Sequence, residues 1–135
     1  MFILDTDIVS LLRRVERHPQ LADWARRVND ADVRITVVTL GEIARGIHRQ
    51  RRRNPPFAED LTLWAQEIGR VFADRLLDFD RPAAAIWGRL TGERGYENSD
   101  LLIAAIALSR DATVVTRHAA DFVPTGVRIE NPFAA

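Results

Sequence analysis

The chain has 135 residues, 47% of them hydrophobic, which is enough apolar side chain for one self-sufficient core. Its 19 basic and 19 acidic residues cancel and it has no cysteine, which excludes a disulfide framework, a thiolate metal site and attraction to nucleic acid by net charge alone. No apolar run approaches the roughly 20 residues that cross a bilayer, and no basic-then-apolar leader opens the chain, so a soluble protein of a reducing cytoplasm is expected.

In chain order, FILD reads as a short buried strand. IVSLLRRV and LADWARRV carry apolar residues at helical spacing, and Pro19 with Gln20 separates them into two short helices. VRITVV, residues 33–38, is β-branched and alternating, which predicts a strand, and LGEIARGIHRQ continues as a helix. Asn54-Pro55-Pro56 marks a break, a long helix is expected over 58–74, and RLLDF (75–79) reads as a strand. Pro82 suits the first turn of a helix ending near Arg94. LLIAAIAL (101–108), with NSD before it, predicts a buried helix with an N-terminal cap, and ATVVT (112–116) and VRIE (127–130) predict closing strands. The pass shows no repeat, linker or low-complexity segment, so one domain over 1–135 is expected. Strands alternating with helices predict an α/β fold with a central parallel sheet covered on both faces.

Ligands of such sheets bind beyond the carboxyl ends of the strands. Asp5 falls at one such end; Thr39 and Glu42 follow VRITVV, Asp100 opens the helix LLIAAIAL, and Thr116 and Asp121 follow ATVV. Each has a purely structural alternative. Asp7 reads as a cap of the first helix, Thr39 with Glu42 matches a capping box, Asp100 lies where a helix dipole favours a carboxylate by roughly 0.3–1 kcal/mol, and Asp121 fits a turn. Gathered at one sheet edge, four carboxylates would repel and at least one pKa would rise unless a cation neutralised them. An oxygen-only donor set suits Mg²⁺ or Mn²⁺ rather than zinc, and an ion held this way activates water and stabilises in-line displacement at phosphorus.

ILDTD at the start, TLGEIARG in the middle, NSDLLIAAIAL and VVTRHAADF late, and the closing ENPF together resemble the PIN-domain ribonucleases, specifically the VapC-type toxins of bacterial type II toxin–antitoxin pairs. The resemblance runs end to end. It implies a PIN-like three-layer α/β/α fold and a Mg²⁺- or Mn²⁺-dependent endoribonuclease acting on structured RNA such as tRNA or ribosomal RNA. It also implies a homodimer held inactive by a small VapB-like antitoxin, with operator DNA reached only through that antitoxin. Asp5, Glu42, Asp100 and Asp121 match the acidic quartet, with Asp5 and Asp100 as metal ligands and Glu42 binding metal or positioning water. Thr6 and Thr116 match hydroxyl positions that orient ligands or water. The chain departs at His118, where such proteins often carry asparagine, and neither His118 nor His18 receives a catalytic role.

All 19 basic residues are arginine, as there is no lysine. Four of them, Arg49, Arg51, Arg52 and Arg53, follow His48 on the Glu42 helix, where they read either as a solvated helix terminus or as a track for RNA phosphates. Trp24, Trp64 and Trp87 lie in helical apolar patterns and read as core or interface residues. The competing classes are a haloacid-dehalogenase-like phosphatase, suggested by Asp5-x-Asp7-x-Val9, a two-component receiver domain, and a catalytically silent PIN-like binding module. The phosphatase and the receiver ordinarily need a lysine, and the full set of carboxylates argues against a silent module.

Overall fold

A computed structural model describes residues 1–134. Five strands, β1 (Phe2–Leu4), β2 (Val33–Thr36), β3 (Leu76–Leu77), β4 (Thr113–Val115) and β5 (Arg128–Glu130), form a parallel sheet in the order β3-β2-β1-β4-β5. The helices are α1 (Thr6–Leu12), α2 (Pro19–Arg27), α3 (Val37–Arg53), α4 (Pro55–Val71), α5 (Arg81–Arg94), α6 (Ser99–Ser109) and α7 (Ala119–Phe122). None of them is long and apolar enough to cross a membrane.

Alternation along the strands divides the apolar side chains between two cores. Ile3 and Val114 pack with residues of α5, α6 and α7, whereas Leu4, Ile35 and Val115 pack with residues of α1 to α4. Both faces of the sheet are therefore covered, as a parallel sheet requires. α6 is buried nearly all round, from Leu101 and from Ile103 through Ala107, which a uniformly apolar helix demands. Trp24 is core, and Trp64 and Trp87 pack partly buried against the two cores.

Three expected boundaries move, each for a local reason. The strand predicted over 33–38 ends at Thr36, whose hydroxyl accepts the Thr39 N–H and so starts α3 at Val37. Pro19 does not separate α1 from α2 but opens α2, and a short 3₁₀ turn, Val15–Arg17, lies between them. The helix expected over 58–74 is Pro55–Val71, since Pro55 and Pro56 occupy first-turn positions that lack intrahelical N–H partners and Asn54 Oδ1 accepts the Phe57 N–H. Asn54 both ends α3 and caps α4, so the two helices fold back on each other through one residue.

The strand order has a consequence for function. The chain lays down β2 and β3 on one side of β1, then returns to place β4 and β5 on the other. The reversal leaves a crevice between the carboxyl ends of β1 and β4, the position at which open α/β sheets bind ligands.

Candidate active site

Asp5 stands at that crevice, directly after β1. Its backbone N–H donates to Val115 O at 3.0 Å, tying the ends of β1 and β4, and its Oδ1 accepts the Ile8 N–H at 2.8 Å. Asp5 is thus the cap of α1, and the reading of Asp7 as that cap is wrong. The residue is only 4% exposed. Burial raises its pKa, the neighbouring Thr116 hydroxyl and the Ile8 N–H counter the rise, and the charge of Asp7 adds to it.

The expected capping box at Thr39 and Glu42 is also overturned. Thr36 is the cap of α3, which places Thr39 and Glu42 within the helix. Glu42 Oε1 accepts the Thr6 hydroxyl at 2.6 Å, and Thr6 Oγ1 lies 2.9 Å from Thr39 Oγ1. Because the single Thr6 proton is given to Glu42, Thr39 must be the donor in the second bond, which orders a chain Thr39 to Thr6 to Glu42. Arg45 Nη2 stands 3.6 Å from the other Glu42 oxygen. Thr39, fully buried, is the member of this chain that a cap assignment hid.

Asp100 lies in the first turn of α6, capped by Asn98 through a 3.0 Å bond to the Leu101 N–H. Its pKa is pushed up to about 6, first by burial, then by the charges of Asp121, Asp5 and Glu42. Carboxylates from three other places in the chain, α3, α7 and the junction of β1 with α1, are therefore felt at one carboxyl group. Asp121 is itself exposed, on the short helix α7. Thr116 is fully buried at the end of β4 and accepts the His118 N–H at 2.9 Å.

The sequence decides the lineage of this arrangement. Residues 2–120 match the PIN domain family. The chain belongs to that family. The PIN domain is 29% identical over 140 residues to toxin FitB of Neisseria gonorrhoeae, covering 98% of this chain and 99% of that one. It is 39% identical over 72 residues to ribonuclease VapC14 of Mycobacterium tuberculosis, covering 53% of this chain and 70% of the relative. Among solved structures, FitAB bound to a DNA fragment superposes with a TM-score of 0.79 at 27% identity, covering 100% of this chain and 97% of that one.

Among the described residues of the PIN domain, no three acidic or histidine side chains close into a ready-made cage. The donor set nonetheless fits a hard cation. Asp5, Glu42, Asp100 and Asp121 offer only oxygen, the charges of Asp121, Asp5 and Glu42 add to burial in raising the Asp100 pKa, and Mg²⁺ typically binds through one or two carboxylates while keeping several waters. Such a site needs an open crevice rather than an all-protein shell.

The arginine run is divided by helix geometry. At 3.6 residues per turn, Arg45, Arg49, Arg52 and Arg53 share an arc of about 100° with Glu42, and Arg53 lies about 16 Å along α3 from it. Arg49, Arg52 and Arg53 line a cavity of about 250 Å³. Arg51 lies about 180° around the helix from Glu42 and is 3.3 Å from His48 Nδ1. The four arginines do not form a single patch.

Proposed function

We propose that this PIN domain is the toxin of a VapBC-type pair, a Mg²⁺- or Mn²⁺-dependent endoribonuclease. One observation carries the reading: the strand order brings Asp5, Glu42, Asp100 and Asp121 together from separate parts of the chain near the β1/β4 switch point, where burial and then the charges of Asp121, Asp5 and Glu42 raise the Asp100 pKa. Four carboxylates held against their mutual repulsion make chemical sense if a cation joins them. When bound, it supplies a hydroxide-like nucleophile from water and neutralises charge on the transferring phosphate.

The chain's own residues supply orientation. Asp5 and Asp100 would hold the cation, Asp5 fixed by the Ile8 N–H and with the Thr116 hydroxyl beside it. Glu42, with Oε1 anchored by the Thr6 hydroxyl, would hold the ion or position its water, and Asp121 would complete the donor set from α7. The phosphatase alternative needs Asp5 as a free nucleophile, yet Asp5 caps α1 and no lysine is present to hold the phosphoryl group.

Arg49, Arg52 and Arg53 carry RNA phosphates toward Glu42 along α3, with Arg51 as a peripheral contact on its opposite side. The substrate class is structured RNA, of which tRNA and ribosomal RNA are examples. The protein acts in the cytoplasm as one domain and a homodimer, and a small VapB-like antitoxin silences it and alone contacts operator DNA. An apolar cleft lined by Leu12, Trp24, Ala25, Val28, Val71 and Phe72 gives such a partner an apolar surface to cover.

The test is cleavage of end-labelled RNA by purified protein. Wild type should cut with Mg²⁺ or Mn²⁺ and stop on chelation, and Asp5→Asn should be inactive while keeping its circular dichroism. Cleavage by Asp5→Asn equal to wild type, or turnover of a small phosphomonoester in place of RNA, rejects the assignment.

A further inference from the structure

We propose that Arg117 is a positioning residue which, by holding the Asp7 carboxylate, keeps it out of the ligand set formed by Asp5, Glu42, Asp100 and Asp121. The inference rests on the metal-dependent reading above and adds to it a pair of residues that reading leaves unused.

Asp7 is a fifth carboxylate at the crevice. It lies in the first turn of α1, two residues beyond Asp5, and its charge is felt at Asp5. Arg117 follows Thr116 at the end of β4, on the other side of the same crevice. Its Nε donates to Asp7 Oδ2 at 2.6 Å and its Nη2 lies 3.5 Å from Oδ1, so the guanidinium engages both carboxylate oxygens. His118 Nε2 stands 3.2 Å from Oδ2 as well. The Arg117 guanidinium also lies over the Phe133 ring, whose centre is 6.0 Å from Cζ and whose residue's N–H donates to Asn131 Oδ1 at 2.9 Å.

The separation matters because affinity and turnover make opposite demands. Each added carboxylate tightens a divalent site, whereas a Mg²⁺-type site works through the positions its protein ligands leave to water and phosphate. A released Asp7 would bind the ion and take one of those positions. An arginine that only orients its neighbours would, on removal, loosen the ion instead.

The direction of the change in metal affinity therefore tests the idea. Mn²⁺ binding is followed by the electron paramagnetic resonance of the free ion, without RNA, for wild type, Arg117→Gln, Arg117→Lys, Asp7→Asn and the double variant Asp7→Asn/Arg117→Gln. Arg117→Gln should bind Mn²⁺ more tightly, on the order of tenfold, and lose on the order of tenfold in kcat with KM for RNA little changed. Arg117→Lys, Asp7→Asn and the double variant should all bind Mn²⁺ as wild type does. Asp7→Asn breaks the same ion pair without freeing a carboxylate, so equal behaviour of Asp7→Asn and Arg117→Gln overturns the proposal. Weaker or unchanged Mn²⁺ binding by Arg117→Gln also overturns it while leaving the metal site standing. Absence of Mn²⁺ binding by wild type would remove both together.

Discussion

At the scale of single residues, Asp100 is the most informative side chain. Its carboxyl, with an ordinary value of 3.8, is held at about 6 by burial and by three neighbouring carboxylates. A folded-state pKa above the unfolded one means that the stability this group contributes is fully present below about pH 4 and is lost as the pH rises through about 6. Asp100→Asn removes the ionised form. The metal-free variant should therefore melt above wild type at pH 7.5, by on the order of 1 kcal/mol once its partial exposure is allowed for, and the difference should vanish near pH 4. The same substitution should eliminate RNA cleavage. Thermal melts at the two pH values, with chelator present, check the stability half; a variant less stable than wild type at pH 7.5 contradicts the assigned repulsion. Asp5, raised in the same direction, carries the same sign.

At the scale of elements, α3 joins two tasks that the linear sequence runs together. Its first turns, started by the Thr36 cap, place Thr39 and Glu42 in the hydroxyl chain with Thr6. Its last turns place Arg49, Arg52 and Arg53 on the Glu42 side and Arg51 opposite. Replacing Arg49, Arg52 and Arg53 together with Gln should weaken RNA binding and flatten its salt dependence by about 0.7 for each phosphate no longer neutralised, whereas Arg51→Gln should change the slope little. Filter binding of RNA across several salt concentrations, with Ca²⁺ replacing Mg²⁺, makes the comparison. If the arginines serve only the helix terminus, the triple variant loses a little stability and keeps the wild-type slope.

At the scale of the whole molecule, the sheet order places the site. Because β4 returns beside β1, Asp5 and Thr116 face each other across one crevice, with Asp100 reached from α6 and Asp121 from α7. An ion held jointly by residues so distant in sequence would bind the folded chain and not the unfolded one. At a hundredfold excess over its Kd, Mn²⁺ should stabilise by about 2.7 kcal/mol, or roughly 10 °C in Tm. At pH 5 the shift should shrink, since protons then compete for Asp100. Differential scanning calorimetry at pH 7.5 and pH 5 measures both, and an equal shift at the two values would mean that Asp100 is not a ligand.

Periodicity, proline placement and side-chain chemistry act locally, and they suffice for the alternation of strands and helices, the parallel sheet, the burial of LLIAAIAL and the nature of the acidic residues. They leave the start of α3 open. Thr36 and Thr39 are both threonines that can cap a helix, and only the end of pairing between β2 and β3 at Thr36 selects the first. The same ambiguity assigned the cap of α1 to Asp7, although Asp5 holds it and is fixed there by the Val115 carbonyl of a strand more than a hundred residues away. The Asp7–Arg117 pair, 110 positions apart, has no local signal at all. Which oxygen meets which hydrogen across the β1/β4 crevice is settled only when the chain folds, since those pairings depend on the order of strands and not on the order of residues.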